Sequence, residues 1–149
     1  MSEKDYNPNM HTLEHLLNGT ISKMFNCGRA FSTHVERKKS KIDYRFDRNF
    51  TVDEVAQIEK VVNDIISKDV QVTEDMLPIA QAREQFDLSR LPDGVDSDLR
   101  IIRIGEFDSC PCIGGHVSKL SEIGGLLRIV STDHNTESGV LRIRFKILK

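Results

Sequence analysis

At 149 residues, with 38% hydrophobic and 30% charged side chains, the chain is sized for one domain with a real hydrophobic core. A net charge of -2 excludes a polycation that grips nucleic acid by bulk charge, so any such contact needs a local basic patch. No apolar run approaches the roughly 20 residues of a membrane helix, and "MSEKDYNPNM" holds no signal-peptide core. Three cysteines make a poor disulfide framework, so the expected setting is cytoplasmic, with thiols that are free or bind metal.

From His11 to about Phe25 the pattern predicts a helix, with Leu13, Leu16, Leu17, Ile21 and Met24 forming one apolar stripe. "AFSTHVE" and "KIDYRFD" read as two strands joined by the basic turn "RKKSK". In the second, Ile42, Tyr44 and Phe46 alternate with polar residues, as in a half-buried strand. Thr51 opens a second helix through a capping box with Glu54, and Val55, Ile58, Val62 and Ile65 give it a core face. "VQV" predicts a short strand, Pro78 suits the first turn of a short helix through about Phe86, and "LPDGVD" is a loop by its Pro, Asp and Gly content. The last third reads as the strands "LRIIRIGEF", "LLRIVST" and "GVLRIRFKIL". Together these elements predict a single α+β domain over 1–149, with two main helices packed on a mostly antiparallel sheet.

Between the strands of the last third lies "DSCPCIGGHV", a loop over 108–117 that packs two cysteines, two glycines and a histidine into ten residues. Cys112 and His116 are four apart, and Gly114 and Gly115 let the backbone turn so that both side chains meet. The first helix supplies a second pair, since His11 and His15 sit one turn apart. Both fall roughly opposite the apolar stripe, on a side shared with Asn18 and Ser22, which speaks against ordinary core histidines and leaves a solvated polar face as the other reading. Three imidazoles and one thiolate are a donor set suited to tetrahedral zinc, Zn2+, provided the fold joins two distant segments. Cys110 competes with Cys112 as the thiolate ligand, whereas Cys27 reads as a small buried or half-buried residue and His34 and His134 as surface or strand residues. Glu14 does not make the first helix a zinc-protease motif, because HExxH needs Glu directly after the first His and Thr12 stands there.

"HTLEHLL" followed much later by "CIGGHV" resembles the editing domain of alanyl-tRNA synthetase, and more closely the free-standing AlaX-type proteins. The editing region of threonyl-tRNA synthetase shares the HxxxH and CxxxH arrangement. The resemblance runs over nearly the whole chain, through "STHVE", "YRFD", "TVDEVAQIEKVVNDII" and "LRIIRIG" to the closing "GLLRIVSTDHNTESGVLRIRFKIL". It implies a metal-ligand helix over 11–26, zinc held by His11, His15, Cys112 and His116, and hydrolysis in trans of a mischarged aminoacyl-tRNA. The expected substrate is Ser- or Gly-tRNA(Ala). With ten residues before the histidine helix, the chain is also expected to lack the N-terminal barrel of longer relatives.

Two departures bear on substrate. The alanyl loop commonly reads CGGTH, whereas here it is "CIGGH", and a position that often carries a hydroxyl is Ala30. Recognition of a serine hydroxyl needs a hydrogen-bond partner, which Ser32 and Thr33 could supply; the catalytic group itself is not identified. Four protein ligands would close a tetrahedron, the usual structural arrangement. Two other readings therefore stay open, a zinc-containing tRNA-binding module without hydrolysis and a hydrolase of a small aminoacyl ester. Phosphate contacts could come from Arg37, Lys38, Lys39 and Lys41 in the basic turn, or from Arg142, Arg144 and Lys146 along the last strand, unless these are solvated faces.

Overall fold

The computed structural model describes residues 7–86, 98–112 and 114–149. "LPDGVD" and Ile113 lie outside the described residues. The α+β class holds: among the described residues three helices and seven strands follow in the order α1 (Pro8–Phe25), β1 (Ser32–His34), β2 (Ser40–Arg45), α2 (Val52–Ser67), β3 (Val72–Leu77), α3 (Ile79–Gln85), β4 (Leu99–Ile104), β5 (Asp108–Pro111), a 3-10 turn at Leu120–Ile123, β6 (Leu126–Asn135) and β7 (Val140–Leu148). Among the described residues no helix is long and apolar enough to cross a membrane.

The strands divide between two antiparallel sheets, one ordered β1-β2-β7-β6 and one ordered β3-β4-β5. β4 accounts for the division. Leu99 and Ile101 pack with Ala82 of α3, whereas Ile104 joins the main core. A strand that is apolar on both faces needs cover on both sides, and α1 and α3 supply it. The strand expected at "VQV" begins instead at Val72 and runs to Leu77, leaving Gln71 in an isolated bridge to Lys119. In the closing hairpin β6 extends past "LLRIVST" to Asn135, whose side chain accepts from the backbone N–H groups of Glu137 and Ser138 and shapes the turn.

Each long helix starts where local chemistry dictates. Asn7 accepts from the Met10 N–H at 2.9 Å and Pro8 takes the first helical position, so α1 begins three residues before His11. α2 opens on the expected capping box, with Thr51 and Glu54 exchanging bonds of 2.9 and 3.1 Å. α2 is amphipathic and buries Ile58, Val62, Ile65 and Ile66. α1 is different, because every residue from Met10 to Ile21 is buried. One side meets the large sheet and α2; its polar side lies under β5 and the cysteine loop.

Asn18 fastens that polar side. Its Oδ1 accepts from the Ala30 N–H at 2.9 Å and from the Tyr44 hydroxyl at 2.7 Å, tying α1 to the segment before β1 and to the C-terminal end of β2. Both Asn18 and Tyr44 are buried, so water cannot replace a lost partner. Asn18→Ala is expected to destabilise the fold by about 1–3 kcal/mol and Tyr44→Phe by nearer 1 kcal/mol. Urea unfolding midpoints would check both, and the double variant should lose less than the sum.

Candidate metal centre

β5 runs antiparallel along α1. Alternate residues of a strand share a face, so Asp108 and Cys110, paired with Ile104 and Ile102, turn toward α1, and the next step of that series is Cys112. At one end Asp108 lies so close to Gly19 that any side chain there would collide with its carboxylate. At the other end Cys112 meets the histidines. The two ligand pairs converge: His11, His15, Cys112 and His116 each present one donor atom, and all four atoms lie within 4.8 Å of one another. The Cys112 Sγ is 3.5 Å from both His11 Nε2 and His116 Nε2. Such a set could hold a metal ion.

Neighbouring groups fix which nitrogens point inward. His11 Nδ1 lies 3.2 Å from the Gly115 carbonyl, which can only accept, so Nδ1 carries the proton and the Nε2 lone pair faces the thiol. His116 Nδ1 lies 2.9 Å from Thr12 Oγ1, and the Val117 N–H donates to the same oxygen at 3.1 Å. With Nε2 on the cluster side, ligation requires the Nδ1–H to donate to Thr12. Arg100 holds the loop from beneath, donating to the carbonyls of Gly114 and Cys112.

Without a metal, burial keeps His11, Cys112 and His116 uncharged. Burial, reinforced by His11 and Arg100, holds the His116 ring down to about 3. Burial also lowers His11, and Arg100 adds to it against the Gly115 bond. Burial pushes the thiol of Cys112 up and that of Cys110 to about 11. The proton on Cys112 therefore stays on sulfur, and the rings of His11 and His116 stay neutral.

The residues singled out in the sequence separate clearly. The helix and loop pairs come together, and the first four residues of the expected loop, Asp108–Pro111, are strand. His11 and His15 are buried, which removes the solvated-face reading. Ser32 and Thr33 lie in the edge strand β1, Ser32 exposed and Thr33 half-buried, and no hydrogen bond among the described residues joins them to the cluster. His34 pairs with exposed Glu36, and His134 bonds the Phe46 carbonyl. Arg142 and Arg144 are engaged by Asp43 and Asp133, whereas Arg37, Lys38 and Lys39 remain exposed in their turn. Sequence reasoning missed Thr12, Asp108 with its partner Arg29, and Arg100; only the alternation Asp108, Cys110, Cys112 offered a signal, and it needed α1 beside it to be read.

Residues 99–144, from β4 into β7 and including Cys112 and His116, match the family described as the threonyl and alanyl tRNA synthetase second additional domain. Over 139 residues, 91% of its length, the chain is 30% identical to the alanine–tRNA ligase of Ignicoccus hospitalis, and over 123 residues 36% identical to that of Leptospira biflexa. The same enzyme of Aeropyrum pernix is 30% identical over 140 residues. The chain spans only 15%, 13% and 15% of these three relatives.

Two outcomes follow from the neutral cluster and its orienting bonds. A free histidine titrates near 6.5, so below that pH the unfolded chain binds protons that the folded rings refuse. Stability of the metal-free protein should fall progressively as pH drops from about 6.5 toward 3, by roughly 1 kcal/mol per unit through His116, with the lowered His11 adding in the same direction. Urea midpoints across that window would show it, with a shallower fall in His116→Gln; a flat profile would contradict buried neutral rings. Thr12→Val should lower metal affinity by about 10- to 100-fold through His116, measured by competition with a chelating dye.

Proposed function

From the premise that this chain belongs to the alanyl-tRNA synthetase editing-domain family, we propose that it is a zinc-dependent aminoacyl-tRNA deacylase. It acts in trans, in the cytoplasm, on a mischarged tRNA(Ala) carrying serine or glycine. The observation that carries this reading is the convergence of His11, His15, Cys112 and His116 from segments about a hundred residues apart. Their chemistry fits zinc. Metal–nitrogen bonds of about 2.05 Å and a metal–sulfur bond of about 2.3 Å at tetrahedral angles imply an N···S edge of about 3.6 Å. The two N···S separations here are 3.5 Å.

Zinc bound there would supply Lewis acidity, polarising an ester carbonyl or acidifying a water. The chain's own residues do the rest. The Gly115 carbonyl and Thr12 set the tautomers of His11 and His116, so that both present Nε2. Arg100 fixes the turn that carries Cys112 and His116. The buried helix excludes water from one side of the centre, so substrate arrives from the side of the half-exposed loop ligands. Arg37, Lys38 and Lys39 offer the phosphate contacts of a flexible, sequence-independent kind.

One observation favours a second reading. Four protein donors already complete a tetrahedron, the arrangement of structural zinc sites. In that case the protein is a zinc-containing module that binds tRNA without hydrolysing it. Deacylation of seryl-tRNA(Ala), with alanyl-tRNA(Ala) and an uncatalysed blank alongside, separates the two. The deacylase should release serine well above the blank and spare alanine. His11→Ala and Cys112→Ala should each lose bound metal and more than about 100-fold of the activity together. Full metal content and tRNA binding with no release of serine would replace the deacylase by the binding module.

A further inference from the structure

The large sheet has two very different faces. Ile42, Tyr44, Leu141, Ile143 and Phe145 point inward, into one core with Leu13 and Leu17 of α1 and Ile58 and Val62 of α2. Alternate residues point the other way, so Lys41, Arg142, Arg144, Lys146 and Arg128 share the outer face across three adjacent strands. The metal centre lies beyond α1 and takes no part in this face.

Strand register shows how the charges are matched. Arg142 stands between Asp43 and Asp133, and bonds Asp43 through both Nε and Nη2 at 2.9 Å. That row is what a stable sheet favours, since opposite charges placed across strands stabilise it and like charges destabilise it. The next two rows do the reverse. Lys41 lies opposite Arg144, and Arg128 opposite Lys146, so two like-charge pairs stand side by side. Arg144 gives Nη1 to Asp133 at 2.9 Å and keeps its other N–H donors. Lys41, Arg128 and Lys146 join no ion pair among the described residues. Arg128 and Lys146 are exposed, Lys41 and Arg144 half-exposed.

The band continues past the strand end. β2 begins at Ser40, opposite Phe145, so the basic turn before it lies at the same end of the sheet as Lys146. Its Arg37, Lys38 and Lys39 are all exposed. A chain of net charge -2 thus lines up the four cations of two rows and the three of a turn. Like charges kept together at a cost in stability call for a partner of opposite sign, and a linear array fits a linear polyanion. Neighbouring strands stand about 4.8 Å apart, so the cations recur closely enough to meet successive phosphates of one backbone.

We infer that this band is a docking surface for the phosphate backbone of an RNA, on the face of the large sheet turned away from the metal centre. The choice of RNA among polyanions rests on the tRNA reading above. The band adds to that reading a grip on the body of the molecule, indifferent to base sequence.

The test uses the full chain and uncharged RNA, so it succeeds or fails apart from deacylation. Fluorescence anisotropy follows binding of a labelled tRNA(Ala) transcript, and of the same transcript without its 3′-terminal CCA, as salt is raised. Both should bind within about twofold of each other, with affinity falling steeply as salt rises. Lys146→Glu turns a like-charge pair into an opposite one. It should weaken binding by about tenfold or more and lower the salt slope by about one, while the urea midpoint stays level or rises. Lys60→Glu, the same charge change at an exposed position of α2, should alter affinity by less than about twofold, because salt screens charges away from the contact. Equal loss in both variants, or loss of binding with the CCA end, would overturn the inference. So would no RNA binding, or binding to phosphatidylserine vesicles in preference to RNA. Release of serine from seryl-tRNA(Ala) with RNA binding untouched by Lys146→Glu would overturn the band alone. RNA binding weakened by Lys146→Glu, with no release of serine, would tell against the deacylase alone.

Discussion

The antiparallel lie of β5 along α1 is the constraint on which the rest depends. A strand advances about 6.6 Å per two residues and a helix about 6 Å per four. Over a short run the two periods therefore keep step, and every second residue of β5 meets every fourth residue of one face of α1. Asp108 falls beside Gly19, and Cys112 beside His11. Change either spacing and the thiol leaves the histidines. The close approach also needs the helix to be small where the strand is bulky, which explains a glycine in the middle of an otherwise well-packed helix, at a helical cost of roughly 1 kcal/mol.

That packing buries polar groups that a surface helix would leave in water. Glu14, Asn18, Thr12 and Asp108 are all buried, and each sits in a web of bonds or charges rather than in hydrocarbon. Arg29 illustrates the balance: burial works against its charge, but Asp108 and Glu14 outweigh it and the guanidinium stays ionised. The candidate metal cluster solves the same problem differently, with His11 and His116 neutral and the Cys112 thiol protonated. An ion held there would displace the thiol proton and gain donors already oriented, so metal affinity and fold stability would be coupled through the same few bonds.

Much of this was legible in the sequence, and what was not has a physical reason. The capping box of α2 and the two four-residue ligand spacings are local patterns, and both appear in the fold; the alternation of β2 appears in part, with Ile42 and Tyr44 buried but Asp43 buried too and Phe46 past the end of the strand. The start of α1 was legible too, in Asn7 followed by Pro8, but the apolar stripe drew the boundary to His11. The division into two sheets was not legible. β4 is apolar on both faces, and nothing in "LRIIRI" tells a central strand of one large sheet from the middle of a small one. Likewise Thr12, Asp108 and Arg100 act on partners 79 or more residues away, or across a strand pair, and carry no spacing signal of their own.

The four candidate ligands are not equivalent, and the difference bears on chemistry. His11 and His15 belong to a helix buried on all sides, whose backbone bonds leave no slack. Cys112 and His116 are half-exposed and belong to a turn held by Arg100 and by single bonds to Thr12 and Gly115. Moving a helix ligand would disturb the core; moving a loop ligand disturbs a few hydrogen bonds of about 1 kcal/mol each. If the four residues held a metal, His11 and His15 would be its fixed donors and Cys112 and His116 its adaptable ones. Arg100, which bonds the carbonyls of Cys112 and Gly114, restrains that adaptable side.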